Sequence, residues 1–279
     1  MSHSALIGIW NKGSGEQHWR SGMSAGDLAA QDKVYFKKGL LLQDLTVNDD
    51  RYAAIWRPGS GEQHFHVGMS QDQFKTEDAQ RLAGGLRLHS LSVDDDVYAA
   101  VWRPGSGEEE WVANTSIDNF KALDAKWFKR GLRIHYLSID GENVTCVWRP
   151  GSGEQEWIAN TSLSNLMAMD RAWFAKGLTM HHLVVDDSGV FNLNGNWAAV
   201  WRPGKGPVNW VSALVPSYEA NDTALFAKGM RMTRLAEWDA GGIDFNLGDF
   251  FDSLFKGVTF SDPGPDPGGD PSGDPGSDG

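Results

Sequence analysis

Hydrophobic and polar positions alternate from Tyr98 to Arg103. Tyr98, Ala100 and Trp102 fall on one side and Ala99, Val101 and Arg103 on the other. A period of two is that of a β-strand. Pro104-Gly105-Ser106-Gly107 then reads as a turn, with proline presetting φ and glycine supplying positive φ. Glu109 to Ala113 predicts a second strand. Beyond it the period changes. Phe120, Leu123, Trp127 and Phe128 recur at helical spacing, behind Ser116 as an N-cap and ahead of Gly131 as the terminating glycine. Leu132 to Ile139 predicts a third strand, and Asp140-Gly141 a hairpin turn into the next Trp-Arg-Pro strand.

This unit recurs along the chain. The strand tryptophan returns at Trp10, Trp56, Trp102 and Trp148, every 46 residues, and again at Trp201 after 53. Ser24, Ser70 and Ser162 match Ser116, and Ser70 with Gln73 fits a capping box. Gly39, Gly85, Gly177 and Gly229 match Gly131. The pattern predicts an α+β repeat protein of five β-β-α-β modules of about 46 residues, mainly antiparallel. The chain enters at a Trp strand, Leu6 to Trp10, and leaves after a post-helix strand, Met230 to Glu237. Pairing of those two ends would complete a sheet. The expectation is therefore a closed or nearly closed propeller-like ring rather than an open solenoid, which needs polar caps.

The longer last interval reflects an insertion at Asp186 to Asn196. It reads as a surface loop, with Phe191 and Leu193 as candidate contact residues. The repeat domain spans residues 1–238. Residues 239–260 form an apolar and acidic segment in which Phe250, Phe251, Leu254 and Phe255 share one helical face, suited to docking on the repeats. Residues 261–279 are rich in Asp, Pro and Gly and read as a disordered tail.

Charge sharpens the list of partners. The formal net charge is −12, and nine Asp against one Lys lie from Asp239 onward. The repeats are nearly balanced and the tail is acidic, so a nucleic-acid partner is excluded for want of a basic surface. No apolar run reaches transmembrane length. Cys146 stands where other modules have Ala54, Ala100 and Ala199, and reads as a small core residue. The N-terminus lacks the pattern of a classical signal peptide, which points to the cytoplasm or to non-classical export. Oligomeric state is left open.

Six sets of residues or motifs are weighed as candidates for chemistry. Arg57 with Glu62, Arg103 with Glu108, and Arg149 with Glu154 flank equivalent turns, and Arg202 stands alone in the fifth module. They read as cross-strand ion pairs beside a hairpin, or as repeated polar pockets for sugar hydroxyls or a carboxylate. Trp19, Phe65, Trp111, Trp157 and Trp210 repeat on the strand after the turn, either as core or as platforms for sugar rings. His89, His135 and His181 are equivalent, but Gln43 and Thr233 replace them in the other modules, so a zinc site is not expected. Asn48-Asp49-Asp50, Asp94-Asp95-Asp96 and Asp186-Asp187 lack the spacing of a calcium loop and read as hairpin turns. Asn114-Thr115-Ser116 and Asn160-Thr161-Ser162 match a glycosylation pattern by coincidence of helix-entry residues. Ser253-Leu-Phe-Lys256 matches a penicillin-binding motif without its companions. No catalytic residue, metal or cofactor is expected.

Gly131-Leu132-Arg133-Ile134, Leu137-Ser138 and Tyr98-Ala99-Ala100-Val101-Trp102, repeating in phase, resemble the bacterial tandem repeat domain family. The resemblance covers about residues 5–238. Related repeats form the N-terminal region of fungal polyglycine hydrolases, whose chemistry belongs to a separate β-lactamase-like domain that has no counterpart here. The resemblance therefore implies a scaffold for binding and no catalytic residue. The expected function is multivalent binding, with carbohydrate as the leading ligand class. The alternatives are a structural or protein-interaction ring with an acidic tether, and a hydrolase with an unrecognised site.

Overall fold

The computed structural model describes residues 4–186, 196–204 and 208–239. The insertion tip with Phe191 and Leu193, and the segments 240–260 and 261–279, lie outside the described residues. Strand β1 (Ser4–Lys12) opens the chain. Four like units follow. The first is β2 (His18–Met23), α1 (Ala25–Phe36), β3 (Leu40–Asn48) and β4 (Arg51–Pro58). The second is β5 (His64–Met69), α2 (Gln71–Ala83), β6 (Leu86–Asp94) and β7 (Val97–Pro104). The third is β8 (Glu110–Ser116), α3 (Ile117–Lys129), β9 (Leu132–Asp140) and β10 (Asn143–Pro150). The fourth is β11 (Glu156–Thr161), α4 (Leu163–Phe174), β12 (Leu178–Val185) and β13 (Trp197–Pro203). The chain closes with β14 (Val208–Leu214), α5 (Val215–Ala227) and β15 (Met230–Asp239).

Each unit is a three-stranded antiparallel sheet. The strand before the helix leads, the Trp-Arg-Pro strand sits in the middle, and the post-helix strand completes it, as in β2-β4-β3. The fifth sheet is β14-β1-β15. There β1 takes the middle place, pairing antiparallel with both C-terminal strands, Ala5 opposite Leu214 and Ser4 opposite Asp239. The two ends of the chain thus share one sheet, as their complementary tally of strands predicts.

The local signals act as read. Ser24, Ser70, Ser116 and Ser162 cap four helices. A full capping box forms at Ser24–Asp27 as well as at Ser70–Gln73, because aspartate at the third position also reaches back to the cap amide. The fifth helix follows Leu214 with no side-chain cap and a proline in its first turn. Asp49-Asp50 and Asp95-Asp96 both adopt positive φ, as two-residue hairpin turns require.

The Pro-Gly-Ser-Gly turn is where the reading fails. It does not close a hairpin within one sheet. It carries the chain from the middle strand of one sheet to the lead strand of the next, as from β4 to β5. The flanking Arg and Glu therefore do not face each other across paired strands.

Five cores result, each shared by two sheets. Leu42, Leu45 and Trp56 of the first sheet pack with Ala99 and Val101 of the second. The second takes Tyr136 and Val147 from the third, the third takes Ala198 and Val200 from the fourth, and the fourth takes Ile7 and Ile9 from β1. The fifth core receives Ala53 and Ile55 from β4 of the first sheet. The post-helix strands are neighbours in the same order: β3 with β6, β6 with β9, β9 with β12, β12 with β15, and β15 with β3.

Candidate functional site

The repeated tryptophans meet on a carboxylate supplied by each helix. Asp78 of α2 accepts hydrogen bonds from the indoles of Trp102 and Trp111, both at 2.9 Å. Trp102 belongs to the same sheet and Trp111 to the next, so one aspartate joins two modules. Asp124 receives Trp148 and Trp157 at 2.9 Å each, Asp170 receives Trp201 and Trp210, and Asp222 receives Trp10 and Trp19. In α1, Asp32 accepts from Trp56, while Phe65 takes the place of the second indole. A glutamine adds a further bond: Gln63 to Asp32, Gln155 to Asp124 and Gln17 to Asp222. The same glutamines accept the amide protons of Leu42, Ile134 and Met232. Burial raises the pKa of Asp32, Asp78 and Asp170, and the indole bonds pull the other way.

The second tryptophans are therefore tied at the nitrogen, and their ring faces decide what else they can do. Trp19, Phe65, Trp111 and Trp157 are half-buried. Trp210 is only 5% exposed and packs in a core, so it is no platform for a ligand. Trp19 lies in a groove of about 750 Å³ between β2, α1 and α5. His18, Tyr35, Gln31, Glu219 and Thr223 also line it, with His18 stacked on Tyr35 at 4.5 Å between ring centroids.

The expected pairing of each turn arginine with its glutamate does not form. Glu108 pairs with Arg130 and Glu62 with His64 at 2.6 Å. Arg57 reaches back to the Ser14 carbonyl at 3.4 Å, and Arg103 to the carbonyl of Leu42. Arg149 lies 4.0 Å from Glu109. Each of these three points toward the preceding module because its turn crosses between sheets. No partner of Glu154 is seen among the described residues.

Each post-helix strand carries a β-bulge opposite its Trp strand, between Leu42 and Asp44 in β3, for example. The others fall at His89, His135, His181 and Thr233. A bulge turns two successive side chains away from the strand's own core. The pairs are Gln43-Asp44, His89-Ser90, His135-Tyr136, His181-His182 and Thr233-Arg234. Four of the second members, Asp44, Tyr136, His182 and Arg234, make buried polar contacts across the sheets, while the Ser90 hydroxyl is buried without a hydrogen-bond partner. Asp44 accepts from the Leu235 amide at 2.8 Å, Arg234 donates to His182 Nδ1 at 2.8 Å, and Tyr136 donates to the Leu45 carbonyl at 3.1 Å. Among the first members, His89 Nε2 bonds the Gln43 carbonyl at 3.0 Å, and the His89 and His135 rings are 6.0 Å apart. Among the described residues, the three equivalent histidines do not form a group whose ligand atoms all lie within 4.8 Å of one another. Burial lowers the pKa of all three, that of His135 to about 3, so they are neutral imidazoles at neutral pH.

At the other end of these strands a narrow recess of about 30 Å³ is lined by Thr46, Ser92, Ser138, Val184 and Ala236, one residue from each post-helix strand among others. Its rim is acidic. The carboxylates of Asp49, Asp94 and Asp95 lie within 4.8 Å of one another, with the Asp49 amide donating to Asp94 at 2.7 Å.

One segment matches a known family. Residues 60–104 fit the model described as polyglycine hydrolase-like, structural repeat. They take in β5, α2, β6 and β7, which is one sheet with its helix. The repeat boundary thus falls in the Pro-Gly-Ser-Gly turn rather than before the Trp strand. No curated protein matches the chain. Two features of this repeat escaped the sequence reading. The helix aspartate follows an apolar residue by four positions, Phe74-Asp78 or Tyr218-Asp222, which sets a carboxylate on the buried stripe. The bulge leaves a trace in the sequence too: core positions Leu42 and Leu45 are three apart where a regular strand would space them by two.

Proposed function

We propose that the chain is a multivalent carbohydrate-binding module built as a closed, propeller-like ring of five repeats, with β1 as the latch. The ring reading is supported by the cyclic sharing of the five cores and by the place of β1 between β14 and β15. The observation that carries the binding reading is the groove beside Trp19. It offers an aromatic surface whose nitrogen is already bonded, next to carboxylate, amide and hydroxyl groups. Apolar C–H faces of a sugar stack on such a ring while its hydroxyls bond the rim. Phe65, Trp111 and Trp157 hold the equivalent position in three other repeats. Weak sites repeated on one rigid body gain avidity without stronger individual contacts.

A glycan array with the intact chain tests this, followed by Trp19→Ala and Trp157→Ala. Binding to a defined glycan class, weakened by each substitution, supports the reading. Silence across the array at high protein concentration refutes it. A protein-interaction ring is the second reading, favoured by the equivalent exposed residues Phe36, Leu82, Phe128, Phe174 and Phe226 at the helix ends. It predicts a protein partner lost on Phe128→Ser, with no glycan response.

A further inference from the structure

The groove beside Trp19 takes one wall from each end of the chain. Strand β2 and helix α1 supply one side, and α5 supplies the other. Side chains pin the walls together directly. Asp222 accepts from the Trp19 indole at 2.9 Å, across 203 positions of sequence, and from Gln17 at 3.0 Å. The Gly22 amide donates to Glu237 at 2.8 Å, and β1 completes the join by lying between β14 and β15.

The polar lining here differs from the equivalent positions of the other repeats. Glu219 stands three positions before Asp222, where Ala29, Lys75, Lys121 and Met167 precede the other helix aspartates. Arg20 follows Trp19, where His66, Val112, Ile158 and Val211 follow the other lead-strand aromatics. Arg20 and Glu219 line the groove from opposite walls, and both are exposed. Neither side chain is tied by an ion pair or hydrogen bond to another described residue, whereas His18 beside them is held by Glu16 at 2.6 Å. Their charges are therefore free to meet a ligand. A carboxylate accepts from two neighbouring hydroxyls and a guanidinium donates to two oxygens, while alanine, valine or isoleucine offers neither. The carboxylates of Asp27, Glu219 and Asp222 outnumber the guanidinium of Arg20, so the lining suits an uncharged sugar and opposes a uronate.

We infer that the groove beside Trp19 is the tight site for an uncharged oligosaccharide, that Arg20 and Glu219 set its specificity, and that a bound sugar holds the two ends of the chain together. This rests on the carbohydrate reading above. The ligand touches both walls at once, so it binds the joined form and loses its site when β1 leaves the sheet. By linkage, a ligand at about 100 times its dissociation constant shifts that opening about 100-fold toward the joined form.

The test titrates the full chain calorimetrically with cellopentaose, with the β-1,4 pentamer of N-acetylglucosamine and with pentagalacturonate. Amide hydrogen exchange is then followed with and without the sugar that binds. One equivalent tighter than the rest is expected for an uncharged pentamer, and none for the uronate. Glu219→Ala and Arg20→Val should each weaken that equivalent by about 10-fold, the loss of one charge-assisted contact, without lowering the unfolding temperature. Lys75→Ala changes the matching position of another repeat and should leave the tight equivalent intact. Sugar at about 100 times its dissociation constant should slow exchange of the β1 amides about 100-fold, and only about 10-fold in Glu219→Ala, with the β6 and β7 amides of the second sheet much less affected. Sugar binding that ignores both variants overturns the inference and leaves the carbohydrate reading standing. Binding without protection of β1, protection spread evenly over all five sheets, or tight binding of the uronate overturns it in the same way. Binding of neither uncharged pentamer overturns it as well, and silence across the glycan array then removes the carbohydrate reading with it.

Discussion

Glu109 stands where three other repeats have glutamine, and Glu109→Gln tests the account of the helix aspartates most sharply. Gln63, Gln155 and Gln17 each donate to the helix carboxylate at 3.0–3.1 Å and accept a strand amide. Ionised Glu109 can do only the second, accepting the Leu88 amide at 2.8 Å. Its side chain is 2% exposed. Burial first, and the charge of Asp78 second, push its pKa from 4.5 up to about 7. A carboxyl whose folded pKa is raised binds more protons folded than unfolded, so stability falls as pH rises between those two values. The shift corresponds to about 3 kcal/mol lost by about pH 8. Glutamine removes that cost and adds a donor to Asp78, but gives up the long contact with Arg149. The net expectation is a variant more stable than wild type by about 1–3 kcal/mol near pH 8 and by under about 0.5 kcal/mol near pH 5, where Glu109 is protonated and resembles glutamine. Urea unfolding followed by tryptophan fluorescence at both pH values measures it. A variant no more stable than wild type at the higher pH, or a gain independent of pH, refutes the reasoning.

Three other outcomes follow from the packing. Asp124→Ala leaves the Trp148 and Trp157 indoles without an acceptor and should cost about 2–4 kcal/mol by denaturant titration, with Asp32→Ala costing less because Phe65 needs none. Gly8→Ala places a methyl 2.0 Å from the Tyr218 hydroxyl and should cost about 1–3 kcal/mol, partly restored by Tyr218→Phe in the double variant; an additive double variant refutes the clash. Gly131→Ala meets no atom within 4 Å but keeps φ at +83°, so its cost should be only the left-handed strain of about 1 kcal/mol, read as a modest fall in unfolding temperature.

Much of the fold was legible because its determinants are local. Serine caps, terminal glycines and the switch from period two to period 3.6 mark each helix wherever it lies in the chain. The equal intervals then reveal the repeat. The Pro-Gly-Ser-Gly turn misled because turn chemistry fixes backbone dihedrals and says nothing of which sheet receives the next strand. Arg103 and Glu108 were read as partners for the same reason. The second tryptophans were ambiguous in sequence because an indole on a strand looks the same whether its nitrogen faces water or a buried carboxylate. Only the helix aspartate, a third residue from another element, decides it. The bulge pairs show the limit from the other side. Their equivalence is visible in sequence, but which polar groups satisfy one another depends on contacts between residues up to 224 positions apart.

The division between conserved pattern and local departure within the chain indicates where selection for function acts. The rivets of tryptophan and aspartate repeat with one exception, as a load shared by all interfaces requires. The bulge pairs do not repeat: aspartate, serine, tyrosine, histidine and arginine occupy one equivalent place in turn. If these positions served packing alone, one small apolar residue would suit all five, since buried polar groups stabilise only when fully partnered. Five different residues instead make a buried set that breaks the repeat inside a scaffold of repeats. That is the condition for recognising a single ligand once per molecule. The proposed carbohydrate sites at Trp19, Phe65, Trp111 and Trp157 should by contrast bind several equivalents per chain, read by titration with glycan.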